Sequence, residues 1–218
     1  MGYNIAIDGP AGAGKSTIAK RVAKELGYVY VDTGAMYRAL AIHFLKQGLK
    51  PEDTEKIKEA CKTAVVTLQY EDGVQQVYLN GENVTRMLRE EAVGNMASVS
   101  SAIPEVRAQL LELQRSLART NDVVMDGRDI GTNILPNADV KVYLTASVKE
   151  RARRRYVELQ EKGVACDLKE IAHDIEERDA RDMNREIAPL RQAEDATFVD
   201  SSNMSIDEVV QTIIKLCK

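Results

Sequence analysis

One short segment constrains the fold of this chain more than any other. Residues 9–16 read GPAGAGKS and fit the pattern GxxxxGK[ST], in which a glycine-rich turn joins a strand to a helix. Both neighbours are present, because Tyr3 to Asp8 reads as an apolar strand and Ser16 to Leu26 as an amphipathic helix. The glycines let backbone N–H groups point inward at phosphate oxygens, and the start of the helix adds its positive end. The segment predicts a phosphate-binding loop in an α/β fold.

The residues of this loop have expected tasks in binding a nucleoside triphosphate. Lys15 would reach the β- and γ-phosphates, and the Ser16 hydroxyl would bind Mg²⁺. The residues predicted to contact the nucleotide are Gly9, Pro10, Ala11, Gly12, Ala13, Gly14, Lys15, Ser16 and Thr17. The chain lacks the Asn-Lys-x-Asp segment with which GTPases read guanine, and this favours a kinase that uses ATP with Mg²⁺.

Four further apolar runs predict strands that join the first one. They lie at Tyr28 to Val31, Val123 to Met125, Val140 to Leu144 and Ala196 to Asp200. Helical patterns separate most of these runs, and one more closes the chain. They lie at Ala35 to Lys46, Pro51 to Lys62, 86 to 119 with a break near Pro104, Val148 to Lys162, Leu168 to Glu186 and Ser205 to Leu216. Alternation of this kind predicts a five-stranded parallel sheet with helices on both faces.

The alternation is interrupted once. Ala64 to Tyr70 and Val74 to Leu79 are strand-like runs joined by Glu71-Asp72-Gly73, which is a hairpin signal. They predict a small antiparallel insert in the α/β fold.

Charged residues follow two predicted strands at the edge where ligands bind to parallel sheets. Asp126 comes directly after an apolar strand and is placed like the carboxylate that holds the Mg²⁺ shell, through water, in enzymes with this loop. Arg128 and Asp129 follow it, and a charged solvated turn is the alternative interpretation. Arg38, one turn into the helix after Asp32, could reach a phosphate at the same edge.

The two charged helices near the C-terminus predict a mobile lid with Gly163 at its tip. One stripe of the second helix changes from apolar to ionic along Leu168, Ile171, Ile175, Arg178, Asp182 and Arg185. It would face an anion or form an ion-pair network. Four arginines crowd the first helix, at Arg151, Arg153, Arg154 and Arg155. They would close on the triphosphate or lie on a solvated face.

Composition excludes several other functions. The net charge of −4 is unlike that of a protein with nucleic acid as its main partner, and no apolar run approaches the ~20 residues that span a bilayer. Cys61, Cys166 and Cys217 are far apart, which indicates free thiols in a cytoplasmic protein. With only two histidines, neither near a predicted nucleophile, acid/base chemistry by histidine is not expected. The low aromatic content and charged helices favour a monomer.

Four stretches together resemble the bacterial-type cytidylate kinases: IAIDGPAGAGKST, DTGAMYR, MDGRDIGT and ERDARDMNREIAPL. The resemblance runs from Ile5 to the last helix. It implies transfer of the γ-phosphoryl group of Mg-ATP to CMP or dCMP, in a fold with a hinged acceptor domain and a lid. The predicted hairpin matches the insert of that acceptor domain. The implied division is a single domain over residues 1–218, with a core at about 1–35, 105–150 and 187–218, an acceptor region at about 36–104 and a lid at about 151–186.

The resemblance also implies roles for single residues. Contacts to the cytosine ring would come from Thr33, Ser98, Arg107 and Asp129, the acceptor phosphate would be held by Arg38 and Arg128, and the sugar by Arg178 and Asp182. The implied catalytic residues are Lys15, Arg128, Arg178 and Arg185, with Arg154 on the ATP side. Thr33 stands where serine is common in the family, which keeps the hydroxyl, although Thr33 could also cap its helix.

Cytosine carries an amino donor where uracil carries an acceptor, so a carboxylate at Asp129 would favour cytosine. The monophosphate acceptor is already anionic near neutral pH, and no general base is required. Two other functions stay open at this point. One is a kinase for a small metabolite such as a sugar or shikimate, and the other is a nucleotide-binding protein that signals to a partner.

Overall fold

The computed structural model describes residues 2–217, which form two sheets and eight α-helices. The strands are β1 Asn4–Asp8, β2 Val29–Asp32, β3 Val66–Glu71, β4 Val74–Leu79, β5 Glu82–Asn83, β6 Val123–Gly127, β7 Val140–Thr145 and β8 Thr197–Asp200. The helices are α1 Lys15–Leu26, α2 Thr33–Lys46, α3 Thr54–Cys61, α4 Glu91–Ser100, α5 Pro104–Thr120, α6 Val148–Glu161, α7 Leu168–Asn184 and α8 Ile206–Leu216.

The larger sheet has the strand order β2-β6-β1-β7-β8, and all of its pairings are parallel. Its middle strands are buried on both faces, as their continuous apolar runs require. Ile5 and Ile7 of β1 pack toward α1 and α8, whereas Ala6 packs toward α2 and α5. The predicted five-stranded parallel sheet with helices on both faces is therefore confirmed.

The smaller sheet is antiparallel, with the order β3-β4-β5. Its hairpin turns at Asp72 and Gly73, both at positive φ, as a tight turn between twisted strands requires. Val77 and Leu79 of β4 turn inward and join the same core as α2. The predicted hairpin is confirmed, and it packs against the body of the protein.

Two predicted helices differ from the observed ones. The helix predicted from Pro51 begins at Thr54, because the Asp53 carboxylate accepts a hydrogen bond from the Lys50 N–H and closes residues 50–53 into a turn. The segment predicted as helix from residue 86 first makes a 3₁₀ turn at Met87–Arg89 and then forms α4. The break at Pro104 is confirmed, since this proline occupies the first turn of α5, where a missing N–H costs nothing.

The antiparallel pair of helices α6 and α7 packs through a small apolar cluster at Ala152, Ile171 and Ile175. Gly163 adopts a positive φ of 70° after the end of α6, at the predicted tip. The predicted stripe along α7 is shorter than expected at both ends. Leu168 is exposed, and Arg185 lies just beyond the last residue of the helix.

None of the helices within residues 2–217 is long and apolar enough to cross a membrane.

Candidate active site

The carboxyl ends of β1, β2 and β6 open into one cavity of about 480 Å³. Its wall combines the loop before α1, the first turns of α2, the end of α4 and the inner faces of α6 and α7. The predicted site residues that line it are Ala11, Gly12, Gly14, Lys15, Ser16, Thr17, Thr33, Arg38, Ser98, Arg107, Asp126, Arg128, Asp129, Arg154, Arg178, Asp182 and Arg185. The other three, Gly9, Pro10 and Ala13, are buried and do not line it.

The glycine-rich loop has the curled backbone that its sequence predicts. Gly12 and Gly14 are left-handed, and α1 starts directly after Gly14, so that its first N–H groups face the cavity. At Gly9 a Cβ atom would come within 1.9 Å of the Leu144 carbonyl oxygen, which explains why a glycine stands there. The loop forms an anion-binding concavity at a helix N-terminus.

The ammonium group of Lys15 lies inside this concavity. It is buried and donates a hydrogen bond to the Pro10 carbonyl oxygen at 2.7 Å. Burial lowers the pKa of Lys15 well below its ordinary value, and the nearby Arg128 lowers it further. A buried cation beside another cation has little water to solvate it, so an anionic ligand would be strongly favoured here.

A carboxylate at the end of β6 stands beside the loop. Asp126 accepts hydrogen bonds from the Ser16 hydroxyl at 3.0 Å and from the Tyr30 hydroxyl at 2.8 Å. Burial, followed by the neighbouring Asp32, raises the pKa of Asp126 to about 6. Hydroxyl and carboxylate oxygens are the ligands that Mg²⁺ prefers. No group of three or more acidic, histidine or cysteine side chains positioned to hold a metal occurs within residues 2–217, so these two would need oxygens from a ligand and water to complete a shell.

A second buried carboxylate, Asp8, was not among the predicted site residues. It is the last residue of β1 and accepts the backbone N–H groups of Ile130 and Gly131 at 2.8 and 2.7 Å. Burial raises the pKa of Asp8 to about 6, although the two N–H groups act in the opposite direction. Asp8 thereby ties the phosphate loop to the π-helical turn Ile130–Ile134 that follows Asp129. An acidic residue at the end of a buried apolar strand was the available signal.

Asp129 sits in a compact ionic cluster at the far end of the cavity. Arg107 pairs with one of its oxygens, Arg185 approaches the other at 3.3 Å, and the Asn133 amide donates at 3.0 Å. All three charged side chains are more than 90% buried. Arg107 is itself fixed by donating to the Ser101 carbonyl oxygen at 3.2 Å. The arrangement holds a carboxylate, with oxygens that can accept further bonds, in one orientation.

Arg38, Arg128 and Arg178 line the same cavity, and the charges of Arg38 and Arg128 are close enough to act on Arg178. Arg128 pairs with Asp182 at 2.9 Å, but the buried Nε of Arg178 has no hydrogen-bond partner among residues 2–217. Burial, followed by the nearby Arg128 and Arg38, lowers the pKa of Arg178 to about 10, against the effect of Asp182. The ion-pair network is thus incomplete, and a surplus of positive charge faces the cavity.

Two hydroxyl groups complete the wall. Thr33 donates to the Asp126 carbonyl oxygen at 2.8 Å. It does not cap α2, because Asp32 is the cap and accepts from the Ala35 N–H at 2.9 Å. Ser98 Oγ on α4 is buried without a hydrogen-bond partner in the described part of the chain, so it is available to a ligand.

The four arginines of α6 do not act as one cluster. Arg151 is buried, pairs with Asp179 of α7 at 2.6 Å and donates to the Ala11 carbonyl oxygen of the phosphate loop at 3.0 Å. Arg153 is exposed and does not line the cavity. Arg154 and Arg155 line the cavity wall. Each of the four has a carboxylate partner, which offsets the mutual repulsion of four arginines crowded on one helix.

Sequence comparison gives a consistent family assignment over the chain. The model of the cytidylate kinase family matches residues 5–218. Among curated relatives, a cytidylate kinase from Caldicellulosiruptor bescii is 50% identical over 213 residues, covering 98% of this chain and 94% of the relative. One from Exiguobacterium sp. is 52% identical over 97% of this chain and 95% of its own length. One from Shouchella clausii is 46% identical over 100% and 96%.

Structural comparison reaches more distant proteins. The crystal structure of an uncharacterized protein from Eubacterium ventriosum superimposes with a TM-score of 0.55, covering 98% of this chain and 96% of that chain. The two sequences are 13% identical, so this likeness concerns the fold alone.

Proposed function

The chain belongs to the cytidylate kinase family and is a phosphotransferase, and we propose that its cavity binds Mg-ATP together with CMP or dCMP. Different side chains of the cavity bind the donor, the acceptor phosphate and the base. The observation that carries this assignment is the presence, in one cavity, of a phosphate loop at one end and an arginine-held carboxylate at the other. The first suits a triphosphate and the second suits the amino group of a base.

The donor binds at the loop before α1. Backbone N–H groups of the loop and the Lys15 ammonium contact the β- and γ-phosphates, and Arg154 approaches from the lid. Ser16 and Asp126 lie side by side at 3.0 Å and fit a magnesium ion that keeps most of its water, with Asp126 acting through water. When bound, Mg²⁺ neutralises charge on the β- and γ-phosphates.

The acceptor phosphate lies at the surplus of positive charge in the middle of the cavity. Arg38 and Arg128 hold it, and Arg178, whose Nε has no partner among the residues described, turns toward it or toward the sugar. Arg185, which approaches Asp129 at 3.3 Å, would bridge toward the transferring phosphoryl group. Charge neutralisation and alignment lower the barrier, and the anionic acceptor oxygen attacks without a general base.

The base lies among Thr33, Ser98, Arg107 and Asp129. Asp129 accepts from the exocyclic amino group of cytosine, while its pairs with Arg107 and Arg185 fix its direction. The buried Ser98 hydroxyl has no protein partner within residues 2–217 and supplies a further polar contact. Asp182, held by Arg128, lies near the sugar. Uracil would place an oxygen against the Asp129 carboxylate, and its binding would be disfavoured.

The helices α6 and α7 form the lid, with residues 36–104 as the acceptor-binding region of a monomeric, cytoplasmic enzyme. The buried Arg151–Asp179 pair joins the two lid helices, and the Arg151 hydrogen bond to the Ala11 carbonyl oxygen fixes the base of the lid to the phosphate loop. The Arg153–Glu150 pair lies within α6 and does not hold the lid to the rest of the protein. Closure over the substrates would exclude water, which would otherwise hydrolyse ATP. Gel filtration with light scattering checks the monomer.

The test of the proposed function is an ADP-release assay with Mg-ATP. Cytidine, deoxycytidine, uridine, adenosine and guanosine monophosphates are run in parallel, with one run in EDTA. We expect strong turnover with the two cytidine nucleotides and none in EDTA. Turnover with a different base would refute the role of Asp129, and turnover with none of the five would refute the kinase assignment.

A further inference from the structure

The strand β2 forms one edge of the parallel sheet, and alternate residues along it face outward. The Val29 N–H donates to the Asp122 carbonyl oxygen at 2.9 Å, so Val29 and Val31 point their backbone groups at β6. In a parallel strand the next residues point the opposite way. Tyr30 and Asp32 therefore present backbone N–H and C=O groups at the open edge.

The inserted hairpin covers this edge with side chains instead of another strand. The Gln75 amide of β4 accepts from the Asp32 N–H at 2.9 Å and donates to the Asp32 carbonyl oxygen at 3.3 Å. Tyr70 of β3 stands directly opposite Gln75 in the hairpin, and its hydroxyl donates to the Tyr30 carbonyl oxygen at 3.1 Å. The cross-strand pair of Tyr70 and Gln75 thus forms hydrogen bonds with the backbone of both outward-facing residues of β2.

Gln75 stands at a position where the strand pattern requires an apolar residue. Gln75, Val77 and Leu79 share the inward face of β4, and all three are buried. A buried polar side chain is costly unless its groups are hydrogen-bonded, and the two partners of Gln75 on Asp32 meet that requirement. Gln75 does not line the cavity and touches no substrate position.

The residue that Gln75 holds begins the acceptor side of the cavity. Asp32 caps α2, whose first residue Thr33 contacts β6 and whose Arg38 lines the cavity. A shift of the backbone at Asp32 would move both Thr33 and Arg38. We propose that Gln75 is a positioning residue for the acceptor, which sets the start of α2 through the backbone of Asp32. This inference rests on the proposed function.

The experiment compares Gln75→Leu with Gln76→Leu. Gln76 is the adjacent residue of the same strand and faces the other way, so it is a matched control. With CMP varied at saturating Mg-ATP, we expect Gln75→Leu to lower kcat/KM by about tenfold, mainly through KM, because misplaced binding groups lose alignment. The KM for ATP should stay unchanged, and Gln76→Leu should behave like the wild type. All assays are run well below the melting temperature of every variant.

Hydrogen exchange at the Asp32 amide supplies the second readout. The amide should be protected in the wild type and in Gln76→Leu, and it should exchange faster in Gln75→Leu. If that variant does not fold, Gln75→Glu replaces it, since a carboxylate keeps the acceptor for the Asp32 N–H but cannot donate to the Asp32 carbonyl oxygen. Equal KM values for CMP in Gln75→Leu, or in its replacement, and in Gln76→Leu would overturn the positioning role, even if the melting temperature falls. Absence of CMP phosphorylation in the wild type would instead overturn the proposed function.

Discussion

Replacing Asp129 by asparagine tests the base assignment more cleanly than removing the side chain. Asp129→Ala would cut the preference for CMP over UMP, but it would also leave Arg107 and Arg185 buried without their common partner. Breaking a buried pair in this way costs about 3–5 kcal/mol of stability. Asparagine keeps the shape and one acceptor oxygen, so that one arginine retains a partner and the loss of stability should be smaller.

The effect on base choice follows from the polarity of the new group. A hydrogen bond to a charged group contributes about 1.5–3 kcal/mol, and each ~1.4 kcal/mol corresponds to a factor of ten. Loss of the carboxylate acceptor should therefore lower kcat/KM for CMP by roughly tenfold to a hundredfold. An amide that turns its N–H toward the base would favour the oxygen of uracil, so the CMP to UMP ratio should fall by at least about tenfold.

The assay is kcat/KM for CMP and UMP in the wild type, Asp129→Asn and Asn133→Ala. Asn133 donates to Asp129 from outside the cavity wall, so its variant perturbs the carboxylate without changing the group that faces the base. Asn133→Ala should keep the wild-type ratio. An unchanged ratio in Asp129→Asn, with a lowered melting temperature, would show that the cluster is structural and does not read the base.

Three further predictions concern charge. Arg178→Ala should lower kcat/KM for CMP by at least about tenfold and hardly change the melting temperature. The charge of Arg178 is buried beside Arg128, and Asp182 does not fully offset the cost of that burial, so its removal should cost little stability. A large fall in melting temperature with an intact KM for CMP would contradict this. Burial raises the pKa of Asp8 from 3.8 to about 6, so ionisation of Asp8 should destabilise the folded protein. The contribution of Asp8 to the free energy of unfolding is therefore fully present only below about pH 4 and is lost as the pH rises through about 6. The free energy of unfolding of the wild type minus that of Asp8→Asn, from urea titrations, should thus fall by ~3 kcal/mol between about pH 4 and pH 7, and a flat or rising difference would refute it. Asp179→Ala should lower stability by about 3–5 kcal/mol by leaving Arg151 buried and unpaired, and the double change Arg151→Met with Asp179→Leu should recover most of it in thermal melts.

Local patterns were sufficient to predict the sheet, the hairpin and the phosphate loop. The strands of the larger sheet are short, mostly apolar runs, and residues 9–16 carry their motif within one turn, so no distant contact is needed to recognise them. The resemblance to a family supplied roles for the residues of the acceptor side, which lie on the four helices α2, α4, α5 and α7 and on the segment directly after β6.

The residues that sequence reasoning missed all act through distant partners. Asp8 binds backbone groups at Ile130 and Gly131, and Gln75 binds backbone groups of Asp32. The sequence does not reveal the task of either side chain, because its partner is a main-chain group that any residue could supply. The start of α3 at Thr54 was missed for a different reason, since a proline fits both the first turn of a helix and the turn before it.

The strand order of the larger sheet has a consequence for how the molecule folds. β1 and β2 both pair with β6, which begins only at Val123, and β7 pairs with β8 near the end of the chain. The hairpin of β3 and β4, by contrast, needs only a tight turn at Asp72 and Gly73. Because closing long loops slows folding, the hairpin should form early and the parallel sheet late. During synthesis β1, the strand before the phosphate loop, therefore stays unpaired until more than half of the chain, including β6, has left the ribosome.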